Sequence, residues 1–275
     1  MAQIEIVGKI GSMAMIRRED QGINYNTLSR ICAELVPGMV WVTSGAVEIG
    51  RVDHIKRTGK ELPHSEESKA DYAAQGQAIL MSVYRQFLPP ETGLRQLLVE
   101  HQHFNDSEKR EHIRRLLLRA AEQGAVPVVN YNDPVSDEEN RKMELMHLRE
   151  SGQDDVFECV DNDETAAVLA GLVGARTLIL LTSTEGIYLD PKDEKTLVGE
   201  VYAETAEGLT RKVRELQAHC HGASRAGANG ARAKLAFALG AALSGAVVRI
   251  GHARHRLSDL LADRVAHTRI GLRGD

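Results

Sequence analysis

Apolar residues along the chain fall into short runs separated by longer stretches of helical periodicity. Ile4–Val7, Met39–Val42, Arg95–Glu100, Val126–Val129, Thr177–Leu181 and Ala246–Ile250 read as strands. Between them, apolar spacing of three and four residues predicts helices. One spans Thr27–Leu35, with Asn26 as its cap and Pro37–Gly38 as its stop. A long one covers Glu66–Leu88 and ends at Pro89–Pro90. Its Ala73, Ala74 and Gly76 form a small-residue face suited to close helix packing, including packing between subunits. Another runs through Ile113, Leu116, Leu117 and Ala120, with an Asn105/Glu108 capping box before it and Gly124 after it. Thr165–Val173, stopped by Gly174, Glu204–Gln217, a helix bearing Lys234 and ending at Leu243, and Leu257–Leu261 complete the series. Arg51–Ser68 reads as a polar loop following a helix start at Val47–Gly50, and Ser136–Glu158 as a charged excursion with room for one helix.

Strands alternating with helices predict a largely parallel sheet covered on both faces. The expectation is an α/β protein, a three-layer α/β/α sandwich forming a single domain over residues 1–275. Composition supports a substantial aliphatic core: of 275 residues, 43% are hydrophobic but only 4% aromatic. So few aromatics, with a net charge of −5, argue against a nucleic-acid surface. No apolar run is long enough to span a bilayer. The N-terminus carries Glu5 where a secretory signal is apolar. Cys32, Cys159 and Cys220 are odd in number and scattered, which suggests reduced thiols, a cytoplasmic location and no zinc site.

Polar, glycine-rich turns recur after the strands, at Lys9–Ser12, Thr43–Ala46, Asn130–Asp133 and Thr182–Gly186. In open α/β sheets ligands bind at the carboxyl ends of strands. Each turn alone is also compatible with ordinary strand–turn packing. His101 and His103 form an HxH pair, but no third ligand is suggested nearby, so they read as solvent-exposed or structural. The chain has no GxxxxGK[ST] loop, no GxGxxG after a strand with an acid downstream, and no GxSxG elbow. What remains is glycine turns, helix N-termini and two lysines beside glycines, Lys9 and Lys234. That is equipment for phosphoryl transfer, where positioning and charge neutralisation dominate.

Five blocks, in order, then resemble the amino acid kinase family: Gly8–Ser12, Val42–Val47, Val126–Asp133, Asp161–Glu164 and Leu180–Tyr188. A sixth, Gly227–Lys234, is similar to its glycine-rich segment ending in lysine. Within the family the chain is most similar to the branch that phosphorylates the side-chain carboxylate of glutamate, a step of the proline-biosynthesis type. The resemblance implies an ATP- and Mg²⁺-dependent, oligomeric kinase with an amino-acid acceptor, its N-terminal half serving the acceptor and its C-terminal half the nucleotide. Lys9 and Lys234 would hold the transferring phosphoryl group, with Asp163 orienting them. Gly11, Ser12 and Gly45 would supply N–H donors. Ser44, Gly45, Asn130, Asp133, Asp161 and Asn162 would bind the acceptor, with Asp133 or a neighbour facing an ammonium. Thr182, Ser183, Gly186, Tyr188, Gly227 and Gly230 would line the nucleotide. The family's pattern departs here in three ways: Ser183 stands where Asp is usual, Asn229 where Gly is usual, and the Asp133–Asp161 segment is longer. Also compatible are a same-fold kinase for another amino acid, a phosphonate or a monophosphate, and a silent nucleotide- or oxyanion-binding relative. A carboxylate acceptor is already ionised at neutral pH and needs no general base. The obstacle is bringing an anion to a polyanion, which two lysines address directly.

Overall fold

The computed structural model describes residues 3–17, 19–152, 156–159, 161–190, 192–220 and 230–273. Strands β1 (Ile6–Ile10) and β2 (Met39–Thr43) flank α1 (Tyr25–Cys32). Helices α2 (Ala46–Thr58) and α3 (Glu66–Phe87) precede β3 (Gly93–Val99). After α4 (Gln102–Asn105) and α5 (Ser107–Glu122) come β4 (Ala125–Tyr131) and α6 (Glu138–Glu150). Then follow α7 (Asn162–Val173), β5 (Thr177–Thr182), β6 (Glu200–Ala203), α8 (Ala206–His219) and α9 (Gly230–Leu243). The remaining elements are β7 (Val247–His252), α10 (Leu257–Leu261) and β8 (His267–Leu272).

The strands form one eight-stranded sheet in the order β3-β4-β2-β1-β5-β7-β8-β6. Every pairing is parallel except β7 with β8, so the β8–β6 edge runs opposite to the rest. The central strands are largely apolar because both faces are covered, with exceptions such as Lys9 on β1 and Arg249 on β7. In β5, Leu178 and Leu180 pack on the face carrying α5, α7, α8 and α9. Its Ile179 and Leu181 pack on the face carrying α1, α2, α3 and α10. The three layers expected from alternation are therefore present, with two further strands toward one side: β6 at the edge and β8 between it and β7. β6 is only four residues long and begins with Glu200, and β8 is interrupted by Arg269, so neither has an unbroken apolar run like that of β5.

Local corrections follow from specific contacts. Asn24, not Asn26, caps α1, its side chain accepting from Thr27 N at 3.1 Å. Asp106, not Asn105, caps α5, accepting from Glu108 N and Lys109 N at 2.9 Å each. Asn105 instead fastens the chain to Phe157, donating to its carbonyl at 2.8 Å and accepting from its N–H at 2.9 Å. The polar stretch after Gly50 is not a loop at first but α2 continuing to Thr58, where Gly59, at φ 71°, ends it. Helices α2 and α3 meet backbone to backbone: a Cβ on Gly76 would lie 1.8 Å from Ala46 O, and one on Gly50 would lie 1.8 Å from Tyr72 O. Ala73 and Gly76 of the small-residue face of α3 thus pack within the chain, while Ala74 is exposed. Gly8 is likewise structural, since a Cβ there would enter the ring of Trp41, the buried residue beside it on β2. Trp41 Nε1 donates to Tyr84 Oη, which donates to Thr43 Oγ1, both at 2.9 Å. This buried chain ties α3 to β2, the strand that leads into Ser44.

Candidate active site

The carboxyl ends of β1, β2, β4 and β5 open toward one region. At its centre Asp163, in the first turn of α7, lies between two ammonium groups. Lys9 Nζ, near the end of β1, is 2.7 Å from its Oδ1. Lys234 Nζ, from the first turns of α9, donates to its Oδ2. Asp163 and Lys9 are buried, at 4% and 7% exposure. Burial opposes ionisation of the Asp163 carboxyl, but the charges of Lys9 and Lys234 outweigh it and hold its pKa well below the usual carboxylate range. The sequence fixes this placement locally. Asp161 caps α7 by accepting from Asp163 N at 2.9 Å, so Asp163 occupies the helix's positive end. Asp161 is therefore a capping residue here. Over Lys9, Gly11 keeps the space open: a Cβ at Gly11 would sit 3.6 Å from Lys9 Nζ. Ser12 then opens a 3₁₀ turn, Ser12–Ala14.

Next to this triad lies a chain of amides. Asn162 Nδ2 donates to Ser44 Oγ at 3.0 Å and to Asn130 Oδ1 at 3.2 Å. Asn130 Nδ2 donates to Gln77 Oε1 at 2.8 Å, and Asn130 Oδ1 also accepts from Tyr131 N at 2.9 Å. The Tyr131 N–H can only donate, which sets every amide in the chain. Asn130 must present oxygen to it and nitrogen to Gln77, and Asn162 must present nitrogen to Asn130. Two buried atoms are left without a partner, the acceptor Asn162 Oδ1 and the donor Gln77 Nε2. Buried polar groups are rarely left so, and a ligand with both a donor and an acceptor would complete them. Gln77 was not legible as a site residue, because in the sequence it sits within the apolar pattern of a long helix; its only signal is the preceding Gly76, which lets α3 approach α2.

Asp133 opens a second 3₁₀ turn, Asp133–Val135, which packs against α3. Burial first, then the charge of Glu48 on α2, push its carboxyl up to about 6, and Arg141 on α6 opposes them. No ion pair joins Asp133 to a described cation. A buried carboxyl that pairs with no described cation suits a positively charged group of a ligand. Gly45 caps α2 at φ 93°, a conformation that favours glycine, and a Cβ there would meet Met15 Sδ at 2.8 Å. Ser44 N is tied back to Ile10 O at 3.2 Å, so the β1 and β2 turns are joined.

The expected nucleotide residues divide. Thr182 Oγ1 accepts from Thr184 N at 2.9 Å, shaping the turn, while Ser183 is exposed. Gly186 is needed for packing, since a Cβ there would lie 2.4 Å from Thr268 Oγ1 on β8. Tyr188 bridges to Leu197. Gly230, at φ 66°, starts α9. Gly227 and Asn229 lie outside the described residues. Glu185, not singled out in the sequence, is an anchor of this wall: His255 Nε2 lies 2.5 Å from it and Arg254 pairs with it. The stretch His252–Arg256 is thus held in place, with Arg30 donating to Ala253 O at 2.6 Å and to His255 O. Of the HxH pair, His101 is buried rather than solvent-exposed, with Nε2 2.9 Å from Glu144 on α6, and His103 Nδ1 accepts from Glu100 N at 2.9 Å. No cluster of three or more His, Cys, Asp or Glu that could hold a metal occurs among the described residues. No described helix is long and apolar enough to cross a membrane.

This arrangement has counterparts. Residues 5–252 match the amino acid kinase family. The chain is 31% identical to a glutamate 5-kinase of Gloeobacter violaceus over 284 aligned positions, covering 98% of this chain and 69% of that one. It is 30% identical to a glutamate 5-kinase of Burkholderia mallei, covering 97% of this chain and 66% of that one. It therefore spans about two thirds of the length of these curated relatives. Among solved structures, a carbamate kinase from Giardia lamblia bound to AMP-PNP superposes with a TM-score of 0.61 at 13% identity, covering 99% of both chains. An isopentenyl phosphate kinase superposes with a TM-score of 0.55 at 18% identity, covering 98% of this chain and 100% of that one. These structures speak to the fold alone. The chain belongs to the amino acid kinase family. It is by class an ATP-dependent kinase.

Proposed function

We propose that the protein transfers the γ-phosphoryl group of ATP to the side-chain carboxylate of L-glutamate, forming an acyl phosphate and ADP. The observation that carries this reading is the Lys9–Asp163–Lys234 triad together with the buried Asp133 carboxyl, which pairs with no described cation. A carboxylate oxygen of the acceptor attacks the γ-phosphorus, the bond to the β–γ bridging oxygen breaks, and that oxygen leaves with its electron pair on ADP. No proton has to move, since the acceptor is already an anion at neutral pH. Lys9 and Lys234 offset the negative charge that gathers on the equatorial and bridging oxygens. Asp163 fixes both ammoniums before any ligand arrives. The acceptor's ammonium faces Asp133 and Asn162 Oδ1, and Gln77 Nε2 offers a donor to an acceptor oxygen. The names of the curated relatives support glutamate among possible amino acids.

Gly11 leaves room above Lys9 for phosphate, and the N-terminal ends of α2 and α7 supply further positive potential, so the residues suit ATP. Magnesium commonly binds through phosphates and water with one or two carboxylates. Both oxygens of Asp163 are engaged by lysines, so the ion would ride on the nucleotide, adding charge neutralisation. The test is an assay with ATP, Mg²⁺ and a panel of acceptors, trapping acyl phosphate with hydroxylamine. Hydroxamate with L-glutamate is expected. ADP release without hydroxamate from any carboxylate acceptor, or no ATP turnover at all, would overturn the reading.

A further inference from the structure

We propose that Arg141, on α6, binds the α-carboxylate of the amino-acid acceptor and so sets a preference for an acceptor with two carboxylates. This rests on the reading of the pocket as an amino-acid site. Helix α6 is fastened over the Asp133 turn at three places. Tyr131 Oη lies 3.1 Å from Ser136 Oγ just before the helix, His101 Nε2 lies 2.9 Å from Glu144 Oε2 within it, and Arg149 pairs with Glu158 near its end. Leu145 is its buried residue. Arg141 stands three residues before Glu144 and four before Leu145, so it shares their inward face.

The surroundings of this guanidinium set it apart. Its positive charge is felt by Asp133, by His101 and by Glu138, which places it at the acceptor end of the site. Its Nε is buried and makes no hydrogen bond. No described carboxylate lies within 4.0 Å of it, whereas Arg149 on the same helix is paired at the surface. Arginine offers five donors in a planar fork that matches a carboxylate. A half-buried fork with a free donor, whose charge reaches the buried Asp133 carboxyl that pairs with no described cation, presents one positive and one negative pole. That is the complement of a zwitterionic α-carbon. With the ammonium at Asp133 and the α-carboxylate at Arg141, the remaining carboxylate is the one free to reach Lys9 and Lys234. Gln77 Nε2 can share the carboxylate or hold the side-chain oxygen.

The test uses the full chain with Arg141→Gln and Arg141→Lys. L-Glutamate is titrated calorimetrically without ATP. The expected result is about 10- to 100-fold weaker binding in R141Q, the loss of a charge-assisted hydrogen bond, with part of it restored in R141K. Turnover is then compared between L-glutamate and 4-aminobutanoate, which keeps the ammonium and the reacting carboxylate but lacks the α-carboxylate. The glutamate preference, as the ratio of kcat/KM values, should fall by a similar factor in R141Q. Unchanged glutamate affinity in R141Q, no glutamate binding by the wild type, or an equal loss of turnover with both acceptors would overturn the assignment. The last would mean that Arg141 only supports α6 or offsets Asp133. Arg141-dependent glutamate binding without any hydroxamate would instead sink the kinase reading and leave the carboxylate site standing.

Discussion

Replacing Asp133 with asparagine tests the acceptor pocket through stability and affinity together. Burial, and then Glu48, push the Asp133 carboxyl up to about 6 from an ordinary value of 3.8. A raised pKa means that the folded chain holds this proton more tightly than the unfolded chain does. The stability this provides is complete below about pH 4 and is lost as the pH rises through about 6. Above that, ionised Asp133 is a liability in the ligand-free protein. Each pKa unit corresponds to about 1.4 kcal/mol, so the upper bound is about 3 kcal/mol, and partial exposure lowers it to roughly 1–2 kcal/mol. Asp133→Asn has nearly the same shape and no charge. It should match the wild type near pH 4 and exceed it by that amount at pH 8, measured by urea denaturation across the range. Function should move the other way. The ammonium of the acceptor pairs with ionised Asp133, so the wild-type KM for glutamate should rise as pH falls from 7 to 5. The variant should bind glutamate weakly at every pH and lose that dependence. A variant less stable than the wild type at pH 8, an offset independent of pH, or a flat wild-type KM profile would refute the reasoning.

Lys9→Ala and Lys234→Ala should each lower kcat by roughly 10²- to 10³-fold while affecting acceptor affinity far less, read by hydroxamate formation; near-normal turnover in either removes it from the mechanism. Asp163→Asn leaves two ammoniums facing each other without their anion and should destabilise the fold by about 3–5 kcal/mol. Because the Asp163 carboxyl is held below its ordinary range, that stabilisation is present above about pH 4 and disappears only as the pH falls further. Denaturation curves of the variant should therefore converge on the wild type in acid, and a constant gap would contradict the pairing. Gly76→Ala places a Cβ where Ala46 O now sits, forcing α2 and α3 apart at a cost of about 1–3 kcal/mol or more, and an unchanged urea midpoint would contradict the close approach.

The central architecture was legible because strands covered on both faces must be apolar at successive positions, as in Thr177–Leu181. The β8–β6 edge was not, because β6 and β8 carry Glu200 and Arg269, which pair across the strands only once both are in place. The continuation of α2 past Gly50 was masked for a related reason: its outer face is charged and its inner contact is a glycine against backbone, which leaves no apolar stripe. At the site, strand ends and a helix cap announced Lys9 and Asp163. Lys234 could be tied to them only by resemblance, since 71 residues separate it from Asp163 along the chain. Gln77 and Arg141 were missed because each acts from a helix whose pattern has another explanation, packing for α3 and surface charge for α6.

The triad and the amide chain also explain each other. Asp163 alone would not ionise readily in so buried a position, and two ammoniums alone would repel. Together they leave one net positive charge in a fixed geometry, ready for phosphate oxygens without reorganisation. That geometry depends on the cap at Asp161, and Asn162 lies between Asp161 and Asp163 in the same first turn. The residue that joins acceptor to triad is thus set by the same helix start that sets Asp163. Any shift of an acceptor bound at Asn162 is a shift of α7, and hence of the carboxylate that spaces the lysines. Acceptor position and phosphate position are coupled through one helix turn, which is what in-line transfer between two anions requires.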